Sequence, residues 1–112
     1  MPNKRYVKGR NFEYRVKRYF EAKGYFVVRS AGSKGVFDLI AITDGEVIGI
    51  QCKKHGQVSK DELNRIIEVS KKYRIKPRIA TVDEKNRLKF VNPFMLLYKS
   101  ERNTNEKREQ EN

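Results

Sequence analysis

Two apolar-rich segments separated only by Asp44 and Gly45 place the strongest constraint on how this chain folds. They run from residue 36 to 42 and from residue 46 to 53. Asp-Gly between two such runs is a strong hairpin signal and predicts a β-hairpin with a two-residue turn. The turn also fixes the register, since a slip of one residue would move every side chain to the other face of the sheet.

This register brings three polar side chains together on one face. Thr43 faces Glu46 across the turn, and counting back along both strands places Asp38 opposite Gln51, with Cβ atoms about 4.5–5.5 Å apart. Lys53 lies two residues beyond Gln51 and therefore points to the same face. The same alternation directs three neighbours to the other face: Phe37, Leu39 and Cys52.

The three polar side chains have the chemistry that phosphodiester hydrolysis needs. Asp38 interrupts an otherwise apolar strand, where a buried carboxylate needs a partner. Its carboxylate, the amide oxygen of Gln51 and the backbone carbonyl of Cys52 would give a partial oxygen shell of the kind that Mg²⁺ prefers. Such a metal activates water and phosphate, and Lys53 would offset the charge that develops on the phosphate. Each residue alone is also typical of a solvated strand surface, so the hypothesis depends on their convergence.

The first part of the chain predicts a helix followed by a strand. Apolar residues at helical spacing predict the helix over residues 9–23, and Gly24 ends it. Its predicted buried face holds Phe12, Val16, Tyr19 and Phe20. Residues 25–29 are rich in β-formers and predict the strand.

A second helix is predicted to begin at the capping box Ser59–Glu62. Its predicted buried face holds Leu63, Ile66, Ile67, Ser70 and Tyr73. Pro77 prevents the helix from continuing, and residues 78–82 and 87–91 predict a second hairpin. Residues 93–98 predict a short helix or an apolar docking segment, either core or a dimer surface. The order α-β-β-β-α-β-β indicates an α/β fold, a mixed sheet flanked by helices.

The charge of the chain favours a polyanionic partner. It has 26 Lys and Arg against 14 Asp and Glu, a formal charge of +12. We expect one domain over residues 1–98, beginning with a basic arm (1–8), and a disordered polar tail over residues 99–112. The tail holds equal numbers of both signs, so the excess charge lies in the domain. Nucleic acid is the first candidate partner and an anionic membrane surface the second.

The composition also indicates a reducing compartment. Cys52 is the only cysteine of the chain, so no disulfide forms within it, which is typical of a cytoplasmic protein. No apolar run approaches the roughly 20 residues that a membrane span needs.

Together these residues resemble the PD-(D/E)xK nuclease superfamily and, within it, the archaeal Holliday junction resolvases. The resemblance covers residues 5–82, and its strength lies in the ordered set of motifs. The matching segments are Lys8-Gly9-Arg10, Glu13, Gly24, Arg29-Ser30-Ala31-Gly32-Ser33-Lys34-Gly35, Phe37-Asp38-Leu39-Ile40-Ala41 and Gln51-Cys52-Lys53-Lys54.

The resemblance implies a restriction-endonuclease-like fold, a homodimer with one active site for each cut strand, and Mg²⁺ as cofactor, with Mn²⁺ as a substitute. It implies that Asp38 and residue 51 hold the metal, that Lys53 aids the nucleophile, and that Glu13 completes the acidic site. It also predicts contacts to the DNA backbone from nearby basic residues and serines: Arg5, Lys8, Arg10, Arg29, Ser30, Ser33, Lys34 and Lys54.

Gln51 departs from the resolvase pattern, which usually has glutamate at this position. A neutral amide still offers an oxygen to a metal but holds it more weakly. Mrr-like restriction endonucleases carry a Gln-x-Lys version of the motif. Three functions therefore stay open: a junction-cleaving endonuclease, a Mrr-like endonuclease that cuts duplex DNA, and a non-catalytic DNA-binding module on a nuclease scaffold.

Overall fold

The computed structural model describes residues 4–30, 35–55 and 57–98. Within these ranges the elements follow the predicted order α-β-β-β-α-β-β. They are α1 (Lys4–Ala22), β1 (Phe26–Arg29), β2 (Leu39–Thr43), β3 (Glu46–Cys52), α2 (Lys60–Tyr73), β4 (Lys76–Val82) and β5 (Leu88–Val91). Residues 93–98 are also helical, which confirms the first of the two alternatives for this segment. No helix in the described part of the chain has the length and apolar character needed to cross a membrane.

The five strands form one mixed sheet in the order β1-β2-β3-β4-β5. Neighbouring strands are antiparallel except β3 and β4, which are parallel because α2 connects them as a crossover. The predicted hairpin register is confirmed: Thr43 pairs with Glu46, and Leu39 pairs with Ile50. Gly45 has a φ of +80°, as a tight turn at this position requires.

The two helices cover opposite faces of the sheet. The α1 face carries the main core, in which Phe12, Val16 and Phe20 of α1 pack on the inward-facing strand residues. Those strand residues are Val27, Leu39, Ala41, Ile48, Ile50 and Ala80. Ile79 alternates with Ala80 along β4, and it lines a pocket together with Leu63 of α2, so α2 covers the other face. We refer to the two sides as the α1 face and the α2 face.

Two sequence predictions about the helices are wrong. Residues 4–8 belong to α1, so they do not form the predicted basic arm. Tyr73 is 62% exposed, whereas the other residues predicted on the buried face of α2 are buried. A helix four turns long reaches past the edge of the core, and Tyr73 lies in its last turn. The predicted tail, residues 99–112, lies outside the described residues.

Phe37 lies on the α2 face, although simple alternation predicted it beside Leu39 on the α1 face. The ring of Phe37 packs over Gly49, where a Cβ would lie 2.6 Å from two ring atoms. Gly49 sits between Ile48 and Ile50, both of which face α1, so the space above it belongs to the α2 face. Regular strand geometry therefore begins only at Leu39, one residue after Asp38.

Candidate active site

Asp38 is held by backbone hydrogen bonds at the open end of the β2–β3 pair. Its amide donates to the carbonyl of Ile50 (2.8 Å), and its carbonyl accepts from the amide of Ser30 (2.8 Å). Its carboxylate oxygen Oδ2 accepts from the amide of Cys52 (2.8 Å). Two of these bonds fix the backbone of Asp38, and the third anchors one oxygen of its carboxylate to β3.

The environment of Asp38 disfavours a negative charge. Burial raises the pKa of this carboxyl above its usual range, and the nearby carboxylate of Glu62 adds to the effect. The amide of Cys52 and the cations of Lys53 and Arg29 lower the same pKa but do not offset the burial. A bound cation would therefore stabilise the ionised carboxylate at this position.

Glu13 reaches the site from the α1 face as half of a close ion pair. Its Oε2 accepts a hydrogen bond from Nε of Arg29 at 2.7 Å, and both side chains are less than one-fifth exposed. The guanidinium of Arg29 also lies 5.1 Å from the ring centroid of Tyr14. The two residues are thus fixed relative to each other, and Arg29 lies near enough to Asp38 to affect its pKa.

Gln51 and Lys53 reach the site from the α2 face. Gln51 lines a groove together with Glu62 and Ile66 of α2. Nζ of Lys53 lies 3.2 Å from Oε2 of Glu62. The structure thus brings Asp38, Gln51 and Lys53 to one end of the hairpin, and it adds Glu62, which the sequence analysis treated only as part of a helix cap.

Comparison with known proteins identifies the family. A profile described as archaeal Holliday junction resolvase (Hjc) matches residues 4–111.

The chain belongs to the archaeal Holliday junction resolvase family.

Individual relatives agree with this assignment. The chain is 40% identical over 96 residues to the crossover junction endodeoxyribonuclease Hjc of Methanocaldococcus jannaschii, a match that spans 82% of this chain and 71% of the relative. A solved structure of Hjc from Archaeoglobus fulgidus, a Holliday junction resolvase from a hyperthermophile, superposes with a TM-score of 0.69. That alignment covers 79% of this chain and 75% of the other at 20% identity, so it supports the fold alone.

Membership of this resolvase family implies the use of a divalent metal, and the donors at the site fit a hard cation. No group of three or more His, Cys, Asp or Glu side chains suited to a metal occurs among residues 4–30, 35–55 and 57–98. The oxygens of Asp38, Gln51 and the Cys52 carbonyl are nonetheless the donor type that Mg²⁺ and Mn²⁺ bind. Within the described residues, Oε2 of Glu62 is buried and has no hydrogen-bond partner.

The residues predicted to contact DNA are only partly described. Lys54 is exposed and Arg10 is half-buried. Arg29 forms an ion pair with Glu13. Ser30 is half-buried, and its amide holds the carbonyl of Asp38. Four predicted contacts lie where the structure describes no side chain: Arg5, Lys8, Ser33 and Lys34.

A basic cleft that was not predicted from the sequence lies beside Glu13 on the α1 face. The cleft is lined by Arg15 and Arg18 together with Lys54 and His55. Nη2 of Arg15 donates to the carbonyl of Asn86 at 2.6 Å, which ties α1 to the β4–β5 turn. The available signal was the spacing of Arg15 and Arg18, since residues three apart on a helix share a face.

Cys52 contributes to the site through its backbone. Burial raises the pKa of its thiol well above the usual range, so the sulfur stays protonated and packs beside the α1 core. Its amide donates to Asp38, and its carbonyl lies at the end of β3, where the chain passes from Gln51 to Lys53.

Proposed function

We propose that this chain is a divalent-metal-dependent endonuclease that cleaves four-way DNA junctions. One observation carries the proposal: in a member of the resolvase family, Asp38 is fixed at the end of a hairpin that also bears Gln51 and Lys53. The formal charge of +12 supports a polyanionic substrate, because a field of this sign attracts DNA and releases counterions from it.

Each residue of the site has a distinct part in this proposal. Asp38, the amide oxygen of Gln51 and the carbonyl of Cys52 hold the metal, with Mg²⁺ as the preferred ion and Mn²⁺ as a substitute. When bound, the metal supplies Lewis-acid activation of a phosphodiester. Lys53 places a positive charge beside the phosphate as negative charge develops on it. Glu13 sets the position of Arg29 on the other side of Asp38.

The contacts to DNA are proposed as backbone contacts. Lys54 lines the cleft beside Glu13, and Arg15 and Arg18 extend the basic surface along α1, to which we add Arg10. Contacts to phosphate position a protein on DNA without reading sequence, which suits an enzyme that recognises the shape of a branch. We include in this surface the residues whose side chains the structure does not describe: Arg5, Lys8, Ser33 and Lys34.

A homodimer is part of the same proposal. Phe26, Val28 and Ile42 lie together on the α2 face of β1 and β2 and are 69%, 46% and 38% exposed. Tyr73 at the end of α2 is also exposed. A contiguous apolar surface of this kind is typical of a protein–protein contact, and a second copy would cover it while providing a second site for the other strand. Light scattering measures the mass of the protein in solution, and we expect twice the mass of one chain. We place the enzyme in the cytoplasm, with its DNA.

The first test compares two DNA substrates of equal sequence content. Purified protein is incubated with a synthetic four-way junction and with linear duplexes of the same arms, in Mg²⁺ and in Mn²⁺. We expect cleavage of the junction only, and a loss of about 100-fold or more in Asp38→Asn, because the neutral amide removes the charged ligand. Asp44→Asn is the matched control, since it makes the same change in an exposed turn where Asn-Gly is also favoured.

The outcomes separate the three functions left open by the sequence. Junction binding without cleavage under any divalent metal would indicate a DNA-binding module. Equal cleavage of the linear duplex would indicate a Mrr-like endonuclease. Full activity in Asp38→Asn would contradict the assignment of the site.

A further inference from the structure

We propose that Glu62 is a ligand of the metal site and supplies the second carboxylate that Gln51 lacks. This inference rests on the proposed metal-dependent function and deepens it. Glu62, in the first turn of α2, would take the role of the glutamate that the resolvase pattern usually has at position 51 on β3. The site would then hold two carboxylates, Asp38 and Glu62, together with the amide oxygen of Gln51 and the carbonyl of Cys52.

The start of α2 directs Glu62 towards the end of β3. Ser59 is the N-cap, and its Oγ accepts from the amide of Glu62 at 3.1 Å, which fixes the first turn. Side chains on a helix tilt towards its N-terminus, so the carboxylate extends back over the segment that follows β3. In a complete capping box this carboxylate returns to the N-cap amide. Here it lies 3.2 Å from Nζ of Lys53 instead.

Two contacts place Glu62 at the site and not merely near it. It lines one groove with Gln51, and it pairs with Lys53. Its negative charge also raises the pKa of the Asp38 carboxyl. Two carboxylates and an amide oxygen therefore lie at the same end of the β2–β3 hairpin, and a divalent cation there would reduce the repulsion between the carboxylates.

The ion pair with Lys53 leaves Oε2 of Glu62 without a hydrogen bond. This oxygen is buried and lies 3.2 Å from the Lys53 ammonium, although the side chain as a whole is 43% exposed, and it accepts no hydrogen bond among the described residues. A buried carboxylate oxygen without a hydrogen bond is unfavourable unless another group satisfies it. A metal ion would satisfy this oxygen, and Lys53 would remain beside it to face the phosphate.

The test measures metal binding without DNA. Binding of Mn²⁺ is followed by electron paramagnetic resonance in wild type, Glu62→Gln and Asp61→Asn. We expect Glu62→Gln to bind at least about 10-fold more weakly, which is the size typical of a lost metal-site partner. Asp61→Asn removes the same charge from the same helical turn but from an exposed side chain, so we expect affinity within about twofold of wild type.

A second variant asks whether the two positions exchange roles. Gln51→Glu combined with Glu62→Gln returns the carboxylate to β3, and we expect it to recover most of the lost affinity. Wild-type affinity in Glu62→Gln would overturn the inference and leave Glu62 as a partner of Lys53 only. Unfolding in urea without metal verifies that each variant is folded.

The design separates this inference from the proposed function. If wild type binds Mn²⁺ and Glu62→Gln does not, while neither cuts a junction, the ligand assignment holds and the enzymatic proposal fails. If wild type cuts junctions and Glu62→Gln cuts and binds metal equally well, the enzymatic proposal holds and the ligand assignment fails.

Discussion

Two carboxylate–cation pairs flank Asp38 from opposite faces of the sheet, and they differ in how well they are satisfied. Glu13 and Arg29, on the α1 face, are joined by a 2.7 Å hydrogen bond, and both are mostly buried. Lys53 and Glu62, on the α2 face, are 3.2 Å apart and more exposed, at 28% and 43% of their side chains.

The difference indicates that two similar ion pairs can have different functions. The first pair is closed: donor and acceptor are aligned, and Tyr14 supports the guanidinium. It holds α1 against β1 and fixes the charge on one side of Asp38. The second pair is open, because one oxygen of Glu62 is buried without a hydrogen bond among the described residues. This unsatisfied oxygen beside Asp38 is suited to binding a metal cation.

The largest expected effect concerns the ring of Phe37, which packs over Gly49 on the α2 face. Gly49→Ala would place a methyl group 2.6 Å from the ring of Phe37. We expect a loss of about 1–3 kcal/mol in the free energy of unfolding, as is typical of overpacking, together with weaker metal binding because Phe37 precedes Asp38. Urea unfolding and Mn²⁺ titration measure the two effects.

Gly35→Ala is the control for this variant. A Cβ at Gly35 would meet its nearest atom at 3.7 Å, an ordinary contact, so we expect a change within about 0.5 kcal/mol. Equal stability of both variants would show that the ring of Phe37 yields freely and does not set the position of Asp38.

The next effect compares the two pairs directly. Glu13→Gln removes the carboxylate that offsets the charge of Arg29 in a largely buried position, and we expect a cost of about 1–2 kcal/mol. Glu62→Gln breaks a pair that water screens, and we expect a cost below about 0.5 kcal/mol. Urea unfolding of both variants without metal measures the difference. A larger loss in Glu62→Gln would show that the open pair is structural.

The smallest effect concerns the pH dependence of stability. Because the folded pKa of Asp38 is raised, the unfolded chain releases this proton first as pH rises above about 4. The carboxyl therefore costs stability progressively through the window between the unfolded and folded pKa, and the cost is complete above the folded pKa. Asp38→Asn removes this cost. We expect the Tm of this variant without metal to exceed that of wild type at pH 7.

The same pair of proteins should converge in acid. At pH 3 both forms of residue 38 are neutral, so the difference in Tm should disappear. A difference that persists unchanged at pH 3 would mean that lost packing or hydrogen bonding, not the buried charge, separates the two proteins. Calorimetry at both pH values makes the comparison.

Local sequence signals predicted the features that depend on neighbours along the chain. The Asp44-Gly45 turn gave the register of β2 and β3, and Ser59 gave the start of α2, because both depend on hydrogen bonds within a few residues. Local signals failed where packing competes with them. Phe37 left the alternation of its strand because Gly49 opens space on the α2 face.

The sequence by itself determined the element order, the hairpin register and the identity of Asp38 as the fixed carboxylate. These follow from the periodicity of side chains and from turn geometry, which act over short distances along the chain. Only the tertiary structure decided that Glu62 faces Lys53 and Gln51. A glutamate in the first turn of a helix can complete a capping box or reach a neighbouring strand. Which of the two occurs depends on the strand end that the crossover brings close to the helix.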